Sequence, residues 1–211
     1  MPQHLSANEA RILGVLIEKA KTTPDAYPLT VNSLTAGCNQ KTSRDPVMSL
    51  SESEIQSSLE ELRSRTLIME SYGASGRVLR YAHNFAKVFD LPAASVDLLA
   101  IMMLRGPQTA SELRANTERL HRFADASSVE AFLEELAERD SGAMVIKLPR
   151  QPGAREQRWA HLLCGMPTAD SNSAVSAAMP VAPPSDLESR VERLELEVAE
   201  LRAALARQNR E

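Results

Sequence analysis

The chain repeats itself, and this limits its fold more than any other feature. RVLRYAH (77–83) returns as REQRWAH (155–161), and both fit R-x-x-R-aromatic-A-H. SLEEL (58–62) returns as FLEEL (132–136). TVNSL (30–34) is echoed by TASEL (109–113), and the run from Leu5 to Leu16 by the run from Leu91 to Met102. Four echoes in the same order predict a tandem duplication.

Each copy predicts the same elements. Helix 1 covers 6–20 in the first copy, where Ile12, Leu13, Leu16, Ile17 and Ala20 form one stripe behind a Ser6-x-x-Glu9 capping box. Its counterpart is 93–104. Helix 2 begins at Thr30 or at Thr109, the latter with a box to Glu112. Helix 3 begins at Ser51-x-x-Glu54 or Ser127-x-x-Glu130, with stripes Ile55, Leu59, Leu62 and Val129, Leu133, Leu136. Two strand-like runs follow each third helix. LIMES and RVLRYAH meet at the glycine-rich YGASG, and AMVIKL and RWAHLL meet at PRQPGARE. The expected class is mainly α with small β-hairpins, α+β. Three helices and a hairpin are the order of a winged helix. We expect winged-helix domains at 1–88 and 89–165.

Residues 166–184 turn rich in Ala, Ser and Pro, with Asp170 the one charged residue, and read as a flexible linker. Residues 185–208 then carry apolar positions at Leu187, Val191, Leu194, Val198, Leu201 and Leu205, in steps of four and three. Valine at a and leucine at d favour parallel dimers, and Arg190–Glu195 and Glu197–Arg202 are attractive across such a pair. A coiled-coil helix that makes a homodimer is expected. The competing reading is one amphipathic helix that folds back on its own domain.

Hydrophobic residues make up 43% but aromatics only 4%, so the core must be mostly aliphatic. The net charge of −4 offers no general attraction to nucleic acid or an anionic membrane. It divides as zero over 1–90, −1 over 91–165 and −3 over 166–211. Cys38 and Cys164 form no C-x-x-C unit, and no secretory signal is expected, because MPQHLSANEA lacks a basic region followed by an apolar run. ILGVLI (12–17) and LLAIMML (98–104) are too short to span a bilayer. A cytoplasmic protein with reduced thiols and no membrane partner is expected.

No Cys/His metal spacing, dinucleotide fingerprint, phosphate loop or nucleophile elbow occurs. No cofactor and no enzymatic activity are expected. Cys38 continues the stripe of Val31 and Leu34, so it reads as core. His83 and His161 read as half-buried strand residues bonded to backbone. Candidate contacts to nucleic acid or a partner are Lys41 and Arg44 before helix 3, Gln56 on it, and Arg77 and Arg80 on the wing. Glu52 and Glu54 oppose DNA at the first copy, and Glu130, Glu134, Glu135 and Glu138 oppose it more strongly at the second. Two readings follow: a dimeric DNA-binding, regulator-like protein that uses the first copy, or a protein-interaction adaptor or assembly factor.

The run EARILGVLIEKAKTTPDAYPLTVNSLTAGCNQKTSRDPVMSLSESEI resembles the N-terminal signature of the YceH family of bacterial proteins. The likeness continues through RVLRYAH and PGAREQRWAHLL to the heptad tail. It implies tandem winged helices in a bacterial cytoplasmic protein. The family is of unknown function, so the resemblance implies no activity and no site residues.

Overall fold

Helix α1 (Ala7–Thr22) starts where its sequence marks a start. Ser6 accepts from the Glu9 N–H and Glu9 accepts in return from the Ser6 N–H. Helix α2 (Val31–Cys38) is capped by Thr30, and α3 (Glu52–Ser64) by Ser51 with Glu54 completing the box. Strands β1 (Ile68–Tyr72) and β2 (Leu79–His83) then pair antiparallel, from Tyr72 opposite Leu79 to Ile68 opposite His83. Helix α4 (Phe85–Phe89) follows. The order resumes with α5 (Ala93–Arg105), α6 (Ala110–Thr117), α7 (Ala126–Ala137) and the hairpin of β3 (Val145–Lys147) and β4 (Trp159–His161).

The computed structural model describes residues 4–72, 76 and 78–167. Arg77, most of the expected linker and the heptad positions Leu187 to Leu205 lie outside them. The described residues form an α+β fold of seven α-helices and two small antiparallel hairpins.

In both repeats the residue before the capping threonine of the second helix joins the hairpin as a one-residue third strand. Leu29 and Tyr81 exchange N–H···O bonds of 3.0 and 2.8 Å; Gln108 and Trp159 exchange bonds of 3.0 and 2.7 Å. The same bridge at equivalent positions is the structural counterpart of the sequence repeat.

One expected helix start is corrected, and one helix is added. Helix α7 is capped by Asp125, whose carboxylate accepts from the Ser128 N–H at 2.7 Å; Ser127 and Glu130 lie inside the helix. Helix α4 is absent from the sequence-based element order, and the boundary expected at 88/89 falls within it.

α1 and α5 are buried nearly all round, from Glu9 to Ile17 and from Ala94 to Leu104. They pack on each other, and the two repeats lie in one compact unit. Gly14 permits the approach: a Cβ there would stand 2.9 Å from Leu104 Cγ and 3.3 Å from the Ala100 carbonyl. Lys21 at the end of α1 pairs with the buried Asp97 of α5 and donates to the Leu120 carbonyl at 3.4 Å.

Candidate functional site

The duplicated R-x-x-R-aromatic-A-H is largely scaffold. Arg80 donates from Nη1 to the Pro28 carbonyl at 2.8 Å, and Arg158 does the same to Pro107 at 2.7 Å. Each arginine thus ties its strand to the residue just before the one-residue third strand. Tyr81 and Trp159 supply the bridging backbone and bury their rings. The expected backbone bond from the histidine side chains is not formed at Nδ1, which in both His83 and His161 is buried without a partner. The His83 N–H instead donates to the Tyr27 hydroxyl at 2.7 Å. Burial pushes both imidazoles down, helped at His83 by the field of Lys21, and takes His161 to about 4.

The connection between α2 and α3 is held from three sides. Asn39 caps α2 and exchanges two 2.8 Å bonds with Leu50. Arg11, 1% exposed, donates to the Cys38 carbonyl at 3.1 Å and the Pro46 carbonyl at 2.6 Å. Arg44 donates to the carbonyls of Gly37 and Ser43 at 3.1 and 2.9 Å, and to Glu18 at 3.2 and 2.6 Å. Arg44 was expected as a surface contact. Its side chain is 0% exposed and fully committed, so it is a structural tie and not a contact. Burial would raise the Glu18 carboxyl, but the bonds and field of Arg44, with Lys19, hold it below its ordinary value. Cys38 sits in the core as expected, and burial pushes its thiol up to about 12.

Among the remaining candidates Lys41 and Gln56 are exposed, and Arg80 is half-buried. Gln56 shares the outer face of α3 with Glu52, Glu60 and Glu61. Arg63 on that helix is drawn to Glu70 of β1 at 3.4 Å. The hairpin beside it exposes apolar surface: Met69 is 53%, Tyr72 70% and Val78 48% exposed. Among the described residues, the outward surface of α3 and the adjoining hairpin is therefore acidic and apolar. In the second repeat Lys147 pairs with Glu130 and Arg158 with Glu112, so part of that hairpin's positive charge is internally matched. Lys147 also lies 5.1 Å from the Trp159 ring centroid.

The described residues line cavities of several sizes. One of about 770 Å³ is mostly apolar and includes Val88, Phe89, Met144 and Leu163, with Arg139 at its wall. An open one of about 490 Å³ lies between His4, Glu9, Ser57 and Glu61. A third, of about 340 Å³, gathers Lys19, Lys41 and Arg119. No group of three or more His, Cys, Asp or Glu among the described residues is placed to hold a metal ion. No described helix is long and apolar enough to cross a membrane.

The sequence reading missed Arg11, Lys19 and Arg119. For Arg11 a signal existed: it neighbours the uninterrupted ILGVLI run, and a helix apolar all round is buried all round. For Lys19 and Arg119 no signal existed, because only the packing of the two repeats brings them together.

Residues 5–154 match the family described as "Protein of unknown function, DUF480". The chain belongs to the DUF480 family. Its relatives carry the description UPF0502 protein. One from Acidovorax sp. (strain JS42) is 56% identical over 209 residues, covering 96% of this chain and 92% of that one. One from Dechloromonas aromatica (strain RCB) is 54% identical over 208 residues, covering 98% and 97%. One from Leptothrix cholodnii is 61% identical over 165 residues, covering 78% and 73%. The likeness to YceH proteins and the DUF480 match indicate one and the same family.

Proposed function

We propose that this DUF480 protein is a non-enzymatic tandem winged-helix protein that works as an adaptor or assembly factor, binding another protein through its first repeat. The observation that carries this reading is the surface of α3 and its wing. Glu52, Glu60 and Glu61 would repel a phosphate backbone, whereas exposed Met69, Tyr72 and Val78 suit burial against a protein. The winged-helix assignment is supported by the element order and by the third-strand bridge in both repeats.

Binding of duplex DNA is the second reading. It keeps the support of exposed Lys41 and Gln56 but loses that of Arg44. We place the chain in the cytoplasm and assign dimerisation to the heptads at 185–208. Sedimentation of the chain with and without those residues tests the dimer; equal masses refute it.

The main test compares the wild type with a Met69→Asp/Tyr72→Asp variant as bait in nuclease-treated bacterial lysate. A stoichiometric protein retained by the wild type and lost by the variant is expected. An empty wild-type eluate, or equal retention by both baits, sinks the reading. A duplex that shifts with steep salt dependence and loses affinity in Lys41→Ala transfers the function to DNA.

A further inference from the structure

We propose that Lys19, Lys41 and Arg119 form a binding site for a small phosphate-bearing ligand at the seam of the two repeats. The three cations come from the end of α1, the α2–α3 connection and the turn after α6, and they line one cavity of about 340 Å³. Lys41 and Arg119 are exposed, and neither enters an ion pair among the described residues. Glu18 is the one acid in the lining, and Arg44 occupies both of its oxygens at 3.2 and 2.6 Å. Lys19 Nζ lies 3.5 Å from Glu18 Oε2 and shares that carboxylate with Arg44, whereas Lys41 and Arg119 bring positive charge that no acid of the lining matches.

Its lining offers an acceptor-rich ligand three cations and several polar side chains, Gln40, Thr42 and Ser43 among them. The hydroxyl protons of Thr22 and Thr23 are instead turned to the helix carbonyls of Glu18 and Lys19. Ser43 Oγ accepts from Arg105 at 2.7 Å, which leaves its own proton to donate into the cavity. Phosphate oxygens accept only, and cations with a hydroxyl donor match them. Ser43 sits at φ 60°, fixed by Arg44 on its carbonyl and Arg105 on its hydroxyl, so this edge of the site is formed before any ligand arrives. The volume lies at the low end of ligand cavities, roughly 300–1,000 Å³, and suits a diphosphate-sized group. Such a ligand would join the two repeats, since Arg119 belongs to the second and both lysines to the first.

The test is calorimetric titration of the full chain with inorganic pyrophosphate at low ionic strength. Saturable binding is expected, weakened about tenfold or more by Lys41→Ala and by Arg119→Ala. Arg122→Ala is the control: its side chain is 83% exposed, bonded to Glu118 and outside the cavity lining, so affinity should hold. Circular dichroism confirms that each variant folds. Absent saturation overturns the proposal. So does an equal loss in Arg122→Ala, which would reduce the effect to general surface charge. A duplex that binds through Lys41 while pyrophosphate does not saturate assigns the lysine to nucleic acid and also overturns it.

Discussion

Arg44 shows how far a residue's role depends on a partner distant in sequence. It sits in a polar run and reads as a surface cation, yet it is buried against Glu18, 26 positions earlier. No spacing rule links those positions; the contact exists only once α1 and the α2–α3 connection pack. Cys38 was legible because its place in the stripe of Val31 and Leu34 is local. The Arg44–Glu18 pair makes a sharp prediction. Glu18→Ala leaves a buried guanidinium without its counter-charge, at a cost of about 3–5 kcal/mol. Changing both partners, in Glu18→Leu/Arg44→Met, should recover much of that loss in urea unfolding. The pH dependence follows from the sign of the shift. The folded carboxyl lies below its ordinary 4.5, so its contribution is complete above that value. It is lost as pH falls through the folded value. Stability of wild type minus Glu18→Gln, measured across the acid range, should shrink in that window. A constant difference would contradict the pairing.

Among the elements, the sequence marks starts better than it marks short pieces. Ser6, Thr30, Ser51 and Thr109 cap the helices they were expected to cap. At α7 two boxes overlap, Asp125-x-x-Ser128 and Ser127-x-x-Glu130, and the stripe of Val129, Leu133 and Leu136 fits either start. The earlier one forms, with a carboxylate at the positive end of the helix. Helix α4 is five residues long, too short for a periodic stripe to announce it. The two caps can be told apart by experiment. Asp125→Ala should cost about 1 kcal/mol in thermal or urea unfolding, the usual value of an N-cap. Ser127→Ala removes an exposed side chain from the first turn and should change little. The reverse ranking would restore the start at Ser127. The third-strand bridges, by contrast, involve single residues, Leu29 and Gln108, with no strand-like run around them. They became visible only through the pairing of Tyr81 and Trp159.

For the described part of the molecule as a whole, the decisive contact is between the first helices of the two repeats. ILGVLI and LLAIMML are too short for a bilayer, and their real meaning is burial on every side: each helix faces its own repeat and the other repeat at once. Gly14 sets the distance between them. A methyl group there would press on Leu104, which can turn away, but also on the Ala100 carbonyl, which is backbone and cannot. Alanine at a helical glycine ordinarily gains about 1 kcal/mol of helix preference, so Gly14→Ala mixes two opposing effects. Gly14→Leu does not: its extra volume exceeds any such gain, and overpacking of about 1–3 kcal/mol or more should dominate. Loss of stability alone would not show that the two repeats share a core. The discriminating measurement is amide exchange in both helices. If α1 and α5 support each other, Gly14→Leu should speed exchange from Leu98 to Leu104 as well as from Ile12 to Ile17, although nothing in α5 has changed. Faster exchange confined to α1 would mean that the second repeat stands alone.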